Sequence, residues 1–160
     1  MSEASPIEGS VDAGNSTLAE VYAEKVRPLR TRSCSLDIPE RENEAEILHT
    51  LLGIELKIGR RRFACPDLAT ARYMRVFARI GCRDFAIPYD ITKISVLADE
   101  LETAWQNMLL AFESEVRAKS ITAKRRARTQ LVKSVRSRIA GIGPGDVMPL
   151  FKQSTKQRGA

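Results

Sequence analysis

Long apolar runs are missing from this 160-residue chain, and so is a basic-then-apolar leader: the first fifteen residues hold Glu3, Glu8 and Asp12 and no lysine or arginine. No stretch approaches the roughly 18 apolar residues that span a bilayer, so the sequence predicts a soluble cytoplasmic chain that does not enter membranes. Cysteine is scarce. Cys34, Cys65 and Cys82 are odd in number and widely spaced, which predicts reduced thiols rather than a disulfide framework. His49 is the only histidine, so neither a histidine-built metal site nor a catalytic triad is expected. No P-loop, dinucleotide fingerprint or paired CxxC occurs, and no metal or cofactor is expected. Aromatics make up only 6 %, which leaves little material for base-stacking platforms.

Acid is nearly absent from the last quarter. After residue 116 there are twelve basic residues against Asp146 alone, a net charge of +11, whereas residues 1–46 carry −5, 47–91 carry +4 and 92–116 carry −4. The overall +6 is therefore strongly polarised, as expected of a segment that meets phosphates or an acidic protein surface. Length allows one core with tails. The organisation expected is a disordered or loosely docked region 1–35 with a short amphipathic helix, an α+β core 36–119, a basic amphipathic helix 120–140 and a flexible basic tail 141–160.

Ile54, Leu56 and Ile58 alternate with Glu55 and Lys57, and after a Gly59-Arg60 turn Phe63 and Cys65 resume the alternation. That is a hairpin with one apolar face. Pro66 and Asp67 open a helix to about Ile80, which Gly81 ends; Ala69, Tyr73, Val76, Phe77 and Ile80 form its apolar stripe, and Arg72, Arg75 and Arg79 line another ridge. Phe85 and Ile87 are expected to add the third strand, ending at Pro88. The fold class is thus α+β: a small three-stranded sheet, helices packed on its one apolar face, and a helical C-terminal half.

Upstream, Thr17 and Glu20 form a capping box for a short helix to Val26, and Pro28 turns Arg27–Arg32 into a basic linker. Asp37 with Glu40, then Glu42, Glu44 and Glu46, suggest a second helix whose stripe is Ile47, Leu48, Leu51 and Leu52 and whose last turn holds His49. Downstream, Asp90 or Thr92 caps a helix to about Lys119, with an apolar stripe wide enough for a homodimer through residues 92–119. Thr122 caps the last helix, to about Ile139, with Leu131, Val132, Val135 and Ile139 opposite Arg125, Thr129, Lys133 and Arg136.

The candidate phosphate-contacting residues are Arg60, Arg61 and Arg62 in the hairpin turn, the Arg72, Arg75 and Arg79 ridge, and Arg125, Arg126, Lys133 and Arg136 on the last helix. The leading expectation is a small non-enzymatic regulator or adaptor associated with nucleic acid. The alternative is a protein-interaction module with oppositely charged ends. Glu55-Leu56-Lys57, an E-x-K on a strand followed by a helix and another strand, resembles the latter half of the PD-(D/E)xK nuclease core. That resemblance implies Glu55 as a metal ligand and Lys57 as the residue that positions water. Asp37, the nearest upstream aspartate, falls in a loop, and the strand alternation also accounts for both residues. Ile139-Ala140-Gly141-Ile142-Gly143 is similar to the hairpin of helix-hairpin-helix motifs, although Pro149 interrupts the second helix that motif requires.

Overall fold

The computed structural model describes residues 16–144. In chain order its elements are α1 (Leu18–Val21, continued by a π-helical turn, Tyr22–Val26), β1 (Thr31–Ser35), β2 (Ala45–Thr50), β3 (Gly53–Ile58), β4 (Arg61–Cys65), α2 (Leu68–Arg79), β5 (Asp84–Pro88), a 3₁₀ turn (Ile91–Lys93), α3 (Ile94–Val116) and α4 (Ile121–Ile142). The architecture is α+β, with an antiparallel sheet ordered β2-β3-β4, a separate two-stranded sheet of β1 and β5, and helices around them. The expected tail falls mostly on residues 145–160, and the expected disordered start on residues 1–15, both outside the described residues.

The β3–β4 hairpin forms as its alternation dictates, with Gly59 supplying the positive φ of +62° at the turn. Ile54, Leu56 and Ile58 face one way, and Leu56 and Ile58 are buried. Asp67 N-caps α2, accepting from the Thr70 amide at 2.7 Å, and α2 lies across the three strands.

The third strand of this sheet is not the expected one. Residues 45–50 form β2, where a helix was expected, and pair antiparallel with β3: Ala45, Ile47 and His49 stand opposite Ile58, Leu56 and Ile54. The spacing of Ile47, Leu48, Leu51 and Leu52 mimics a helical stripe, but Leu51 and Leu52 lie in the β2–β3 turn and are fully exposed. Ladder pairing with β3 overrides a local helical pattern here. Asp37 therefore caps nothing; its carboxylate takes a hydrogen bond from Arg61 at 2.7 Å.

Phe85 and Ile87 do lie on a strand, but β5 pairs with β1, from Thr31↔Pro88 to Ser35↔Asp84. The stretch read as a basic linker thus enters a strand at Thr31. The other edge of β5 is closed by side chains. The Ala86 amide donates to the Tyr22 hydroxyl at 2.8 Å, and the Tyr73 hydroxyl donates to the Ala86 carbonyl at 2.5 Å. Two buried tyrosines satisfy backbone groups that would otherwise need a further strand. Around them Tyr22, Tyr73, Phe77 and Phe85 form the aromatic centre of the core, with Phe77 and Phe85 stacked at 4.4 Å.

The segment between β1 and β2 is held tightly. Leu36 and Ile38 are buried, Arg83 donates to the Ile38 carbonyl at 2.7 Å, and the Asn43 amide reaches the carbonyls of Pro39, Arg41 and Ala78. Gly81, at φ +79°, lets the Arg41 backbone pass so close that a Cβ there would overlap it.

α3 packs chiefly against α2 rather than on the strands. Its wide stripe is largely used within the chain, burying Ile94, Leu97, Ala98, Leu101, Ala104 and Trp105. The N-terminal helix is docked too, with Leu18, Tyr22 and Val26 fully buried. α4 starts at a Ser120 cap rather than at Thr122, because the Ser120 hydroxyl accepts from the Ala123 amide at 3.1 Å. It runs to Ile142, three residues past the expected end, with Gly141 inside it. Gly141 therefore forms no hairpin of the helix-hairpin-helix kind. Val132, Val135 and Ile139 join the same core as the sheets, and the Tyr22 hydroxyl donates to the Gly143 carbonyl at the end of α4.

Candidate nucleic-acid interface

The core-facing positions of α4, Val132, Val135 and Ile139, recur at i, i+3 and i+7, so they fix which arc of the helix faces water. Arg125, Arg126, Lys133 and Arg138 are exposed, and Lys124 is half-buried. Arg117 and Lys119, in the link from α3, are exposed as well. From Arg117 to Pro144 there are nine basic residues and no acid. Two of the nine are engaged: Arg128 makes a bidentate ion pair with Glu42, as close as 2.6 Å, and Arg136 donates to the Ile80 carbonyl at 2.9 Å. The hydrogen bonds that Arg128 donates to Glu42 raise its pKa further. The other seven have no carboxylate partner among the described residues.

The other expected arginines are placed differently. Arg72 pairs with Glu102 at 2.7 Å and with Asp99, and Arg75 pairs with Glu102 at 3.3 Å. These two tie α2 to α3, and their charge is matched where it stands. The bonds to Glu102 and Asp99 push the Arg72 pKa further up. Arg79 donates to the Ala45 carbonyl at 3.4 Å; burial, then the charge of Arg75, lowers its pKa. In the hairpin turn Arg61 is held by Asp37 and Arg62 by Glu55 at 3.3 Å, which leaves Arg60 as the turn's cation without a carboxylate partner among the described residues. The structure thus separates the ten candidates. Arg125, Arg126 and Lys133 share an open helix with Lys124 and Arg138, which were not singled out by position, while the ridge on α2 is an interhelical seam.

Glu55 and Lys57 lie on the face of the three-stranded sheet away from α2, opposite Leu48 and Glu46 of β2. β2 stands beside β3, where the segment before Glu55 was expected to be helical. It puts Leu48 opposite Glu55, while the Glu55 carboxylate is engaged by Arg62. Among the described residues no group of three His, Cys, Asp or Glu side chains is placed to hold a metal ion. The outward sheet face, with Glu46, Leu48, Glu55, Lys57, Arg62 and Ala64, carries no aromatic ring on which a base could stack. No helix among the described residues is long and apolar enough to cross a membrane.

The fold and this face define an α+β protein with an open cationic helix. In comparisons with protein families, curated proteins and solved structures, nothing matches the chain.

Proposed function

We propose that the chain is a non-enzymatic adaptor or regulator that associates with nucleic acid through the exposed arc of α4. One observation carries this reading: seven cations on and beside α4 lack a carboxylate partner among the described residues, whereas the acids of α3 at positions 99, 100 and 102 are each paired with a cation of the chain. Phosphate contact by such residues releases condensed counterions and is largely indifferent to sequence. Arg126 and Lys133 lie two helical turns apart, about 10 Å, on one side of α4. With no aromatic residue in α4, the reading calls for backbone contact and not for base stacking. A second copy is not required, since α3 buries most of its stripe inside the chain.

The test is binding of the full chain to labelled DNA and RNA, single-stranded and duplex, across a salt series, beside Arg125→Glu/Arg126→Glu/Lys133→Glu. A shortened chain ending before α4 is unsuitable, because it would remove the buried Val132, Val135 and Ile139. All three substituted side chains are exposed, so the variant is expected to melt with the parent. The proposal expects salt-sensitive binding that the variant loses. Equal binding by both proteins would refute it.

A further inference from the structure

Three of the eight exposed large apolar side chains among the described residues fall close together in the chain. Tyr89, Ile91 and Val96 are 41, 69 and 58 % exposed, and they lie in one short stretch between β5 and the first turn of α3. Two clefts of about 390 and 410 Å³ adjoin there, with Leu29 and Lys93 contributing to both. Pro88 and Tyr89 wall the first, and Val96 and Leu97 wall the second. Ile91 stands in the turn between Asp90 of one cleft and Thr92 of the other.

The walls are fixed. The Tyr89 amide donates to the Arg30 carbonyl at 3.1 Å, extending the β1–β5 pairing by one residue, and the Arg30 guanidinium sits 5.3 Å from the centre of the Tyr89 ring. Among the described residues Asp90 is the one acid lining either cleft, and its carboxylate accepts from both the amide and the hydroxyl of Thr92. The cations are less committed. Neither Arg30 nor Lys93 has a carboxylate partner among the described residues, and the contact of Lys25 with Glu100 is an exposed one at 3.4 Å.

We infer that this double cleft docks an acidic amphipathic segment of a partner protein, whose apolar side chains enter the clefts and whose carboxylates meet Arg30 and Lys93. Apolar clefts bordered mainly by cations, here Lys25, Arg30 and Lys93 against Asp90, suit an acidic amphipathic peptide. A phosphate backbone has nothing to place in an apolar cleft. A lipid surface would press on a convex patch, whereas two concavities side by side take protruding side chains. The inference does not rest on the α4 reading, and it would make the chain bivalent.

The experiment selects peptides from a random library on the immobilised full chain and maps the selected peptides by amide chemical shifts. Selected sequences should combine Asp or Glu with Leu, Ile or Phe, and should perturb Leu29, Tyr89 and Val96. Lys93→Glu/Val96→Asp, both at exposed positions, should weaken binding at least about tenfold. Arg125→Glu/Arg126→Glu/Lys133→Glu should leave it unchanged, which separates this site from the α4 face. Selection of basic or neutral peptides, shifts that map elsewhere, or an unaltered affinity in the Lys93→Glu/Val96→Asp variant would overturn the inference. So would failure to select any peptide while phosphatidylserine vesicles bind through Tyr89, Ile91 and Val96.

Discussion

Ala86 is where three parts of the chain meet, because its amide and carbonyl are satisfied by tyrosines from the N-terminal helix and from α2. Tyr73→Phe removes the donor and leaves that buried carbonyl unpaired, a loss expected to cost about 1–3 kcal/mol in denaturant unfolding. Gly81→Ala should cost at least about 2 kcal/mol, since it adds left-handed backbone strain to an overlap with the Arg41 backbone. Burial pushes the Cys82 thiol up to about 12 from an ordinary value of 9.0, against the opposing pull of Arg136. In that window the unfolded chain gives up a proton that the folded chain keeps. Stability should therefore fall as pH rises above about 9, by up to about 1.4 kcal/mol per pH unit from this group, and be unaffected by it at lower pH. Tyr22 and Tyr73, also raised by burial, add to the alkaline loss. Urea midpoints of Cys82→Ala and the parent isolate the thiol: the variant's slope should be shallower above pH 9 and parallel below it.

At the scale of elements, the α2–α3 seam depends on Glu102, which serves both Arg72 and Arg75. All three side chains are about three-quarters buried, and the Arg75 Nε is already buried without a partner. Glu102→Gln should therefore destabilise by about 1–2 kcal/mol, below the cost for a fully buried pair. The Glu42–Arg128 pair is more exposed, and Glu42→Gln should cost under about 1 kcal/mol. A thermal-melt comparison of the two variants checks the ordering. Elements whose signals are local were readable in the sequence: the β3–β4 hairpin from its alternation and Gly59, α2 from Asp67 and Gly81, and α3 and α4 from their apolar periodicity. β1 and β2 were not. β1 has no apolar alternation and exists through pairing with β5, about fifty residues on; β2 carries leucines at helical spacing that its turn leaves in solvent. The site divides the same way. The arginine ridge of α2 was visible by angle, but Asp99 and Glu102, 27 and 30 residues beyond Arg72, match its charge only once α3 has folded back.

Over the whole molecule, charge is sorted by folding. Arg72 and Arg75 of α2 and the acids Asp99 and Glu102 of α3 neutralise each other, Asp37 and Glu55 take up two of the three turn arginines, and among the described residues α4 and its approach hold seven of the cations left without a carboxylate partner. The acidic amphipathic partner inferred for the Tyr89–Val96 surface would give the molecule a second attachment, so that a nucleic acid and a protein could be held together without catalysis. The measurement that bears most directly on the account is the salt dependence of duplex DNA binding by the full chain and by Arg125→Glu/Arg126→Glu/Lys133→Glu. Each phosphate contact contributes about −0.9 to the slope of log affinity against log salt, so the variant's slope should be shallower by about three contacts, alongside weaker binding at every salt concentration. Parallel slopes for the two proteins, or a parent that does not bind, would contradict the assignment of α4 as the phosphate-contacting face.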